Sequence, residues 1–158
     1  MLGKLLLILI ILAGSLNYQS NTEIDVIDPI PAIIKDVKVT GIENAYTFAV
    51  TLKSPDTGCK QYANWWEVIS LDGKTLYYRR VLGHSHVDEQ PFTRSGGTIK
   101  ITAKTEVIIR AHMHPAGYGK GKIAMKGSVA TGFKNLELTE GFGEALELAE
   151  PLPNGCAF

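Results

Sequence analysis

The sequence has no excess of either charge. Lysine and arginine together number 16, as do aspartate and glutamate, so the formal net charge is zero at pH 7. This balance provides neither the basic surface that binds nucleic acids nor a polybasic segment for anionic lipids. We therefore expect no nucleic acid among the partners of this protein.

Recognisable catalytic motifs are also missing. The chain contains no Gly-x-Ser-x-Gly nucleophile elbow, no phosphate-binding loop and no His-Glu-x-x-His zinc motif. Among the possible functions, we rank hydrolysis by a metal-activated water third, behind the two binding functions considered below. The sequence thus favours a binding protein over an enzyme and leaves the enzymatic alternative open.

No apolar run is long enough to cross a bilayer as a helix, for which about 20 residues are needed. The longest, Leu5–Ala13, follows Lys4 and is followed by small residues, which is typical of a secretory signal peptide. We interpret residues 1–15 as this peptide and expect the mature chain to begin between Ser15 and Asn21. We expect a secreted or periplasmic protein with no stable membrane insertion after cleavage. Ser15 stands where a bacterial lipoprotein would carry its lipidated cysteine, so lipid attachment at that point is excluded.

Cysteine is scarce, and its spacing is informative. Cys59 and Cys156 fit no zinc-ribbon or Cys-x-x-Cys pattern. In an exported chain they meet an oxidising environment. We therefore predict a Cys59–Cys156 disulfide that holds a C-terminal tail which would otherwise fray.

From residue 33 onward, short strand patterns are separated by turn residues. Apolar and β-branched residues alternate in Ile33–Thr40 and Ala45–Leu52, and Asp72-Gly73 is a strong hairpin signal between Trp65–Leu71 and Thr75–Leu82. Further strands are predicted at Thr98–Ala103, Glu106–Met113, Gly121–Val129 and Leu136–Thr139, and a short helix at Gly143–Glu150. The pattern predicts an all-β antiparallel sandwich of seven to eight strands over residues 33–158, after a linker at 16–32.

Glu106-Val-Ile-Ile-Arg-Ala111, the glycine-rich loop 117–121 and the strand after it resemble the F–G hairpin of fibronectin type III and immunoglobulin-like modules. The resemblance extends over residues 33–131, although Glu106 or Val107 replaces the usual corner tyrosine. It implies a sheet in which the strand at Trp65–Leu71 lies between those at Thr75–Leu82 and Glu106–Met113. It implies nothing about function, because such sandwiches carry many.

All four histidines occur in His-x-His pairs. Side chains two residues apart on a strand share a face, and the implied topology brings the ends of both His-bearing strands to one pole of the sandwich. Neutral imidazole suits zinc, copper and nickel. We predict that at least three of the four bind one divalent ion, such as zinc or copper: His84, His86, His112 and His114. The alternative is that they are exposed polar residues on a solvated face.

A second set of residues predicts a binding surface on the outer face of the same sheet. One of the adjacent residues Trp65 and Trp66 should enter the core while the other faces out. The surface is predicted to comprise Trp65, Tyr78, Arg80 and Arg110, with Glu89 in the following loop. There the outward tryptophan stacks on sugar rings or packs beneath Arg80. The runner-up function is therefore a structural or adhesive cell-surface module that binds glycan or protein.

The loop that follows His86 carries two acidic residues, Asp88 and Glu89. These carboxylates are either oxygen ligands to the same ion or part of a solvated loop face. Arg94 is expected to pair with one of them and so to rigidify the loop beside the histidines.

Overall fold

The computed structural model describes residues 30–119 and 123–157. The predicted signal peptide, and the predicted linker up to residue 29, lie outside these ranges. Within them the chain forms the following elements: β1 (Ile33–Ile42), β2 (Ala45–Lys53), β3 (Tyr62–Ile69), β4 (Leu76–Val81), β5 (Phe92–Ile99), β6 (Val107–His114), β7 (Ile123–Ser128), β8 (Gly132–Glu137) and a 3₁₀ helix, Glu144–Leu148. No helix in the described ranges is long and apolar enough to span a membrane.

The strands form two antiparallel sheets that pack around a common core. The smaller has the order β1-β2-β5, and the larger has the order β4-β3-β6-β7-β8. This arrangement confirms the predicted all-β sandwich. It also confirms that β3 lies between β4 and β6 and runs antiparallel to both, so that β4 and β6 end at the same pole.

Alternation along the strands fills the space between the sheets with apolar side chains. Phe48 and Val50 of β2 meet Trp66 of β3 there, all fully buried. Met113 of β6 also joins this core. Its side chain therefore points away from the histidines on either side of it, as the alternation predicted.

The opposite face of the five-stranded sheet is also covered, which the sequence analysis did not predict. A second apolar cluster joins Ile69 of β3 and Ile108 of β6 to Leu138 and Leu146 from the C-terminal part of the chain. Residues of β3 are buried along the whole strand, and those of β6 up to Met113. The outer face that was predicted to form a binding surface is therefore covered: the C-terminal segment, residues 138–157, lies over it and shields its apolar side chains from water.

The largest error in the predicted strand boundaries concerns β5, which begins at Phe92 rather than Thr98. Ser95-Gly96-Gly97 reads as a turn but lies inside the strand. An added Cβ at Gly96 would lie 2.6 Å from the Tyr78 ring, and one at Gly97 would lie 2.7 Å from a backbone carbonyl oxygen of β2. Glycine permits close approach here rather than a turn. The boundary of β8 is also displaced, because it begins at Gly132 and not at Leu136.

Candidate functional site

A disulfide lies at the pole of the sandwich where the His-x-His pairs are found. Cys59 and Cys156 are bonded, with their Cα atoms 5.6 Å apart, within the usual range for a disulfide of about 4.4–6.8 Å. The bond holds the tail beside the strand ends, where the backbone N–H of Ala157 donates to the carbonyl of Gly83 at 2.7 Å. The predicted disulfide and its anchoring of the tail are confirmed.

The two histidine pairs line different cavities at this pole. His84 and His86 line one of about 410 Å³, beside Gly58. His112 and His114 line another of about 460 Å³, together with the disulfide. The predicted four-histidine site required the chain to curl inward after β4, but His84 instead pairs with the tail. Across residues 30–119 and 123–157, no three side chains among His, Cys, Asp and Glu are grouped so as to hold a metal ion, so the predicted convergence of at least three histidines is not found there.

His86 is the most unusual of the four. It is only 2% exposed, and its ring stacks on Phe92 with centroids 3.7 Å apart. Neither ring nitrogen has a hydrogen-bond partner among the described residues. Burial is the main cause that lowers the pKa of His86 to about 4, with the positive charge of Arg94 adding to it. The ring is therefore neutral at physiological pH and offers an unshared lone pair.

The surroundings of His86 combine a second imidazole with carboxylates. The exposed His84 ring lies 4.4 Å from it, centroid to centroid. Asp88 and Glu89 line the same cavity, and Glu89 pairs with Arg94 at 2.7 Å, as expected. The two adjacent imidazoles are therefore surrounded by charges of both signs, with Arg94 beside the carboxylates.

His112 differs from His86 because both of its ring nitrogens have hydrogen-bond partners. Its ring stacks on Trp65 at 3.7 Å, Nδ1 lies 2.6 Å from Asn64 Oδ1, and Nε2 lies 3.0 Å from Glu147 Oε1. Burial lowers the pKa of His112, and the neighbouring Glu147 carboxylate opposes that shift. Its partner in sequence, His114, is exposed at the end of β6 with its ring 5.8 Å from that of Tyr62. His112 therefore connects the sheet to the C-terminal segment and does not offer an open ligand atom.

A buried carboxylate, Glu67 of β3, is the polar centre of the covered face. Arg79 donates to its Oε2 from Nε at 2.8 Å and from Nη2 at 2.6 Å. Arg110 Nε and the Tyr118 hydroxyl donate to Oε1 at 2.6 and 2.7 Å. Burial, with the Glu67 charge, raises the pKa of Tyr118 well above its usual range, which keeps the hydroxyl protonated as a donor.

The same two arginines hold the C-terminal segment. Arg110 donates to the carbonyls of Phe142 and Gly143 at 2.6 and 2.8 Å. Arg79 donates to the carbonyl of Leu146 at 2.5 Å and to that of Ala149. Glu67 and Arg79 were not predicted from the sequence. The available signal was a single charged residue in β3, flanked by neighbouring strands that each carry arginine.

The residues predicted to form an outer binding surface do not share one. Trp65 does face outward, but it is 3% exposed and lies between His112 and the guanidinium of Arg79, 4.4 Å from its centroid. Arg80 is paired in register with Trp66, not Trp65, so Arg79 takes the predicted place of Arg80. A shift of one residue along a strand exchanges its two faces.

The other predicted surface residues are distributed over different environments. Tyr78 packs against the inter-sheet core, with its ring 5.7 Å from that of Trp66. Arg110 is buried, at 2% exposure, and Glu89 is exposed on the loop before β5. The glycan- or protein-binding face assembled from these residues is therefore not present in this arrangement.

Comparison with known proteins gives one informative relative. A curated protein of Halomicrobium mukohataei, named "Putative lipoprotein", is 39% identical over 107 residues, which are 66% of this chain and 52% of the relative. The chain thus spans about half the length of the curated relative that it matches. That name describes an exported protein of the cell envelope, in agreement with the leader pattern and the disulfide of this chain. No family model matches, and no solved structure matches significantly, so the fibronectin-like resemblance stays a prediction.

Proposed function

We propose that this chain is an exported binding module of the cell envelope that takes up a divalent transition-metal ion at His84 and His86. The observation that carries the proposal is His86, a buried imidazole whose two nitrogens have no partner among the described residues. Buried polar atoms in native proteins are nearly always hydrogen-bonded, and an exception calls for an explanation, of which a bound ion is one. An ion bound by His86 would supply the missing partner.

The chemistry around His86 suits a cation. Only the neutral imidazole ligates metals, and burial keeps this ring neutral. His84 would provide a second nitrogen donor from the same short segment. The Asp88 carboxylate also lines the cavity and contributes negative charge that attracts cations, whereas Glu89 is paired with Arg94. Copper(II) is expected to bind most tightly at equal availability, followed by zinc or nickel.

This proposal revises the predicted ligand set from four histidines to two. His112 is excluded because its nitrogens already contact Asn64 and Glu147, and His114 lines the other cavity. The runner-up function, binding of glycan or protein through the outer sheet face, has no comparable support. Its central residue, Trp65, is covered.

The test is a calorimetric titration of the purified protein with copper(II) and zinc, repeated on single variants. His84→Ala should weaken binding by at least about tenfold. Removing a residue that only supports a metal ligand already costs about that much, and His84 is itself a proposed ligand. His86→Phe should do the same, and it keeps a ring stacked on Phe92. His114→Ala is the matched control, since it removes an exposed imidazole of the other pair, and it should leave the affinity unchanged.

Each outcome is decisive for the ligand set. Equal losses in His84→Ala and His114→Ala would restore the four-histidine site and overturn the two-histidine one. Wild-type protein that binds copper(II) no more tightly than His86→Phe would overturn metal binding at this site. Circular dichroism of each variant confirms that the fold is retained.

A further inference from the structure

We infer that Asp56 is the positioning residue of the His84–His86 site: it fixes the orientation of His86 so that Nε2, and not Nδ1, is the ligand atom. This inference rests on the proposed metal site, but its first test does not require a metal. Asp56 lies in the connection between β2 and β3, and its side chain is fully buried.

The Asp56 carboxylate joins two distant segments of the chain. Oδ2 accepts the backbone N–H of His86 at 2.8 Å, and Oδ1 accepts the backbone N–H of Ala63, next to the start of β3, at 3.0 Å. A buried carboxylate is stable only when such donors compensate its charge. The position of His86 relative to β3 is therefore set by Asp56.

The carboxylate also distinguishes the two ring nitrogens of His86. Nδ1 lies 3.9 Å from Asp56 Oδ2. The negative charge favours the tautomer whose proton is on the nearer nitrogen, Nδ1. That tautomer leaves the lone pair on Nε2. Carboxylates that accept a hydrogen bond from a metal-binding histidine select its tautomer and ring orientation. At 3.9 Å, Asp56 acts on the His86 ring through its charge and not through a hydrogen bond.

Further contacts hold the rest of the segment in place. The Phe92 ring is nearly parallel to that of His86, with 5° between the planes, which limits rotation of the imidazole. The backbone N–H of Gly58 donates to Ser85 Oγ at 3.2 Å. On the other side, the tail held by the disulfide pairs with Gly83. The two imidazoles are thus presented by a segment anchored at three points.

The alternative is that Asp56 only connects two loops and has no influence on the ring. The tautomer of His86 separates these explanations, because a purely structural anchor would not select it. In ¹⁵N-labelled, metal-free wild-type protein, long-range proton–nitrogen NMR correlations should show His86 protonated at Nδ1. A predominant Nε2–H tautomer would overturn the inference without any variant being made.

The second test compares Asp56→Asn with Asp88→Asn. Both variants remove one negative charge near the same cavity, but only Asp56 contacts His86. Asp56→Asn should shift the His86 tautomer towards Nε2–H and weaken copper(II) binding by about 10- to 100-fold, the usual effect of removing a carboxylate behind a ligand. Asp88→Asn should leave the tautomer unchanged, and the affinity that it loses measures the effect of removing one negative charge from the cavity.

The outcomes distinguish this inference from the proposed function. If wild-type protein has the Nδ1–H tautomer but binds no metal, the metal site fails while the positioning of the ring by Asp56 stands. If wild-type protein binds copper(II), and Asp56→Asn binds it equally well with an unchanged tautomer, the positioning role fails while the metal site stands. Equal effects of Asp56→Asn and Asp88→Asn would assign the result to general charge and overturn the inference.

Discussion

At the scale of single residues, Glu67 is a fully buried carboxylate that depends on its hydrogen-bond donors. Its side chain is fully buried, and each carboxylate oxygen accepts from one arginine, with the Tyr118 hydroxyl as a further donor. Charge-assisted hydrogen bonds of this kind offset the cost of burying a carboxylate. Removing the negative charge would leave two buried guanidinium groups without their counter-charge, although their hydrogen bonds to backbone carbonyls would remain.

We therefore expect Glu67→Gln to lower the free energy of unfolding by about 3–5 kcal/mol, the usual cost of breaking a buried ion pair from one side. Urea denaturation followed by tryptophan fluorescence measures this loss. Glu89→Gln is the matched control, because it breaks an ion pair with Arg94 at the surface, where solvent screens the charges. Equal destabilisation by the two variants would contradict the role assigned to Glu67.

His112 predicts how stability depends on pH. Burial lowers its pKa in the folded protein, against the opposing effect of Glu147, whereas the unfolded chain protonates its histidines near the ordinary value of about 6.5. As the pH falls below that value, the unfolded state binds more protons than the folded state at this residue. The contribution of His112 to stability is therefore lost on acidification from about pH 6.5 towards its lower folded-state pKa.

Urea midpoints measured at pH 7.5 and 5.5 test this dependence. The fall in stability between these two values should be smaller in His112→Gln than in the wild-type protein, because the variant has no group at this position to protonate. The exposed His114, varied in the same way to His114→Gln, provides the comparison. A pH dependence identical in wild type and His112→Gln would exclude His112 as the source.

At the scale of elements, the C-terminal segment is held mainly by side chains of the sheet. Arg79 and Arg110 donate to its carbonyls, and Leu138 and Leu146 enter the outer apolar cluster. The disulfide closes this arrangement across 97 residues of sequence. The segment therefore acts as a third layer over the five-stranded sheet.

Replacing both cysteines, as Cys59→Ser with Cys156→Ser, should lower the free energy of unfolding by about 2–4 kcal/mol, since an open loop of this length restores entropy to the unfolded chain. Denaturation of wild-type protein with and without a phosphine reductant provides the parallel measurement. Limited proteolysis should cut the tail sooner in the variant. If the double variant were as stable and as resistant as wild type, the disulfide would have no part in holding this layer.

Strand β5 gives a test of packing by glycine. Gly96→Ala places a methyl group 2.6 Å from the ring of Tyr78, so we expect a destabilisation of about 1–3 kcal/mol, as for other overpacked sites. Gly83→Ala is the control, because no heavy atom lies within 4 Å of an added Cβ there. Thermal unfolding should show a lower midpoint for Gly96→Ala only. Similar midpoints for both would show that β5 accommodates the methyl group.

At the scale of the whole molecule, the leader pattern and the disulfide agree with export to the cell envelope. The leader itself lies outside the described residues, so its removal stays a prediction. N-terminal sequencing of the exported protein should find a chain that begins between Ser15 and Asn21. Exported material that still begins at Met1 would contradict the interpretation of residues 1–15 as a signal peptide.

Much of the architecture was predictable because it depends on local patterns. Alternating apolar residues located β1, β2 and β6, and Asp72-Gly73 located the hairpin between β3 and β4. With two cysteines in the chain, the pairing followed once export was inferred. The candidate site was predictable only in part: His84 and His86 are adjacent, as their spacing indicated, whereas His112 and His114 belong to another cavity.

The sequence alone determined the approximate positions of most strands and which side chains within them share a face, because these properties depend on neighbours two positions apart. Only the tertiary structure decided what lies against each face. The register of β4 placed Arg79 rather than Arg80 beside Trp65. The contact between Arg79 and Leu146 joins residues 67 positions apart, and such pairs leave no periodic signal along the chain. The same distant packing buried His86 and left its ring nitrogens without hydrogen-bond partners within residues 30–119 and 123–157, which is the feature from which the metal site is inferred.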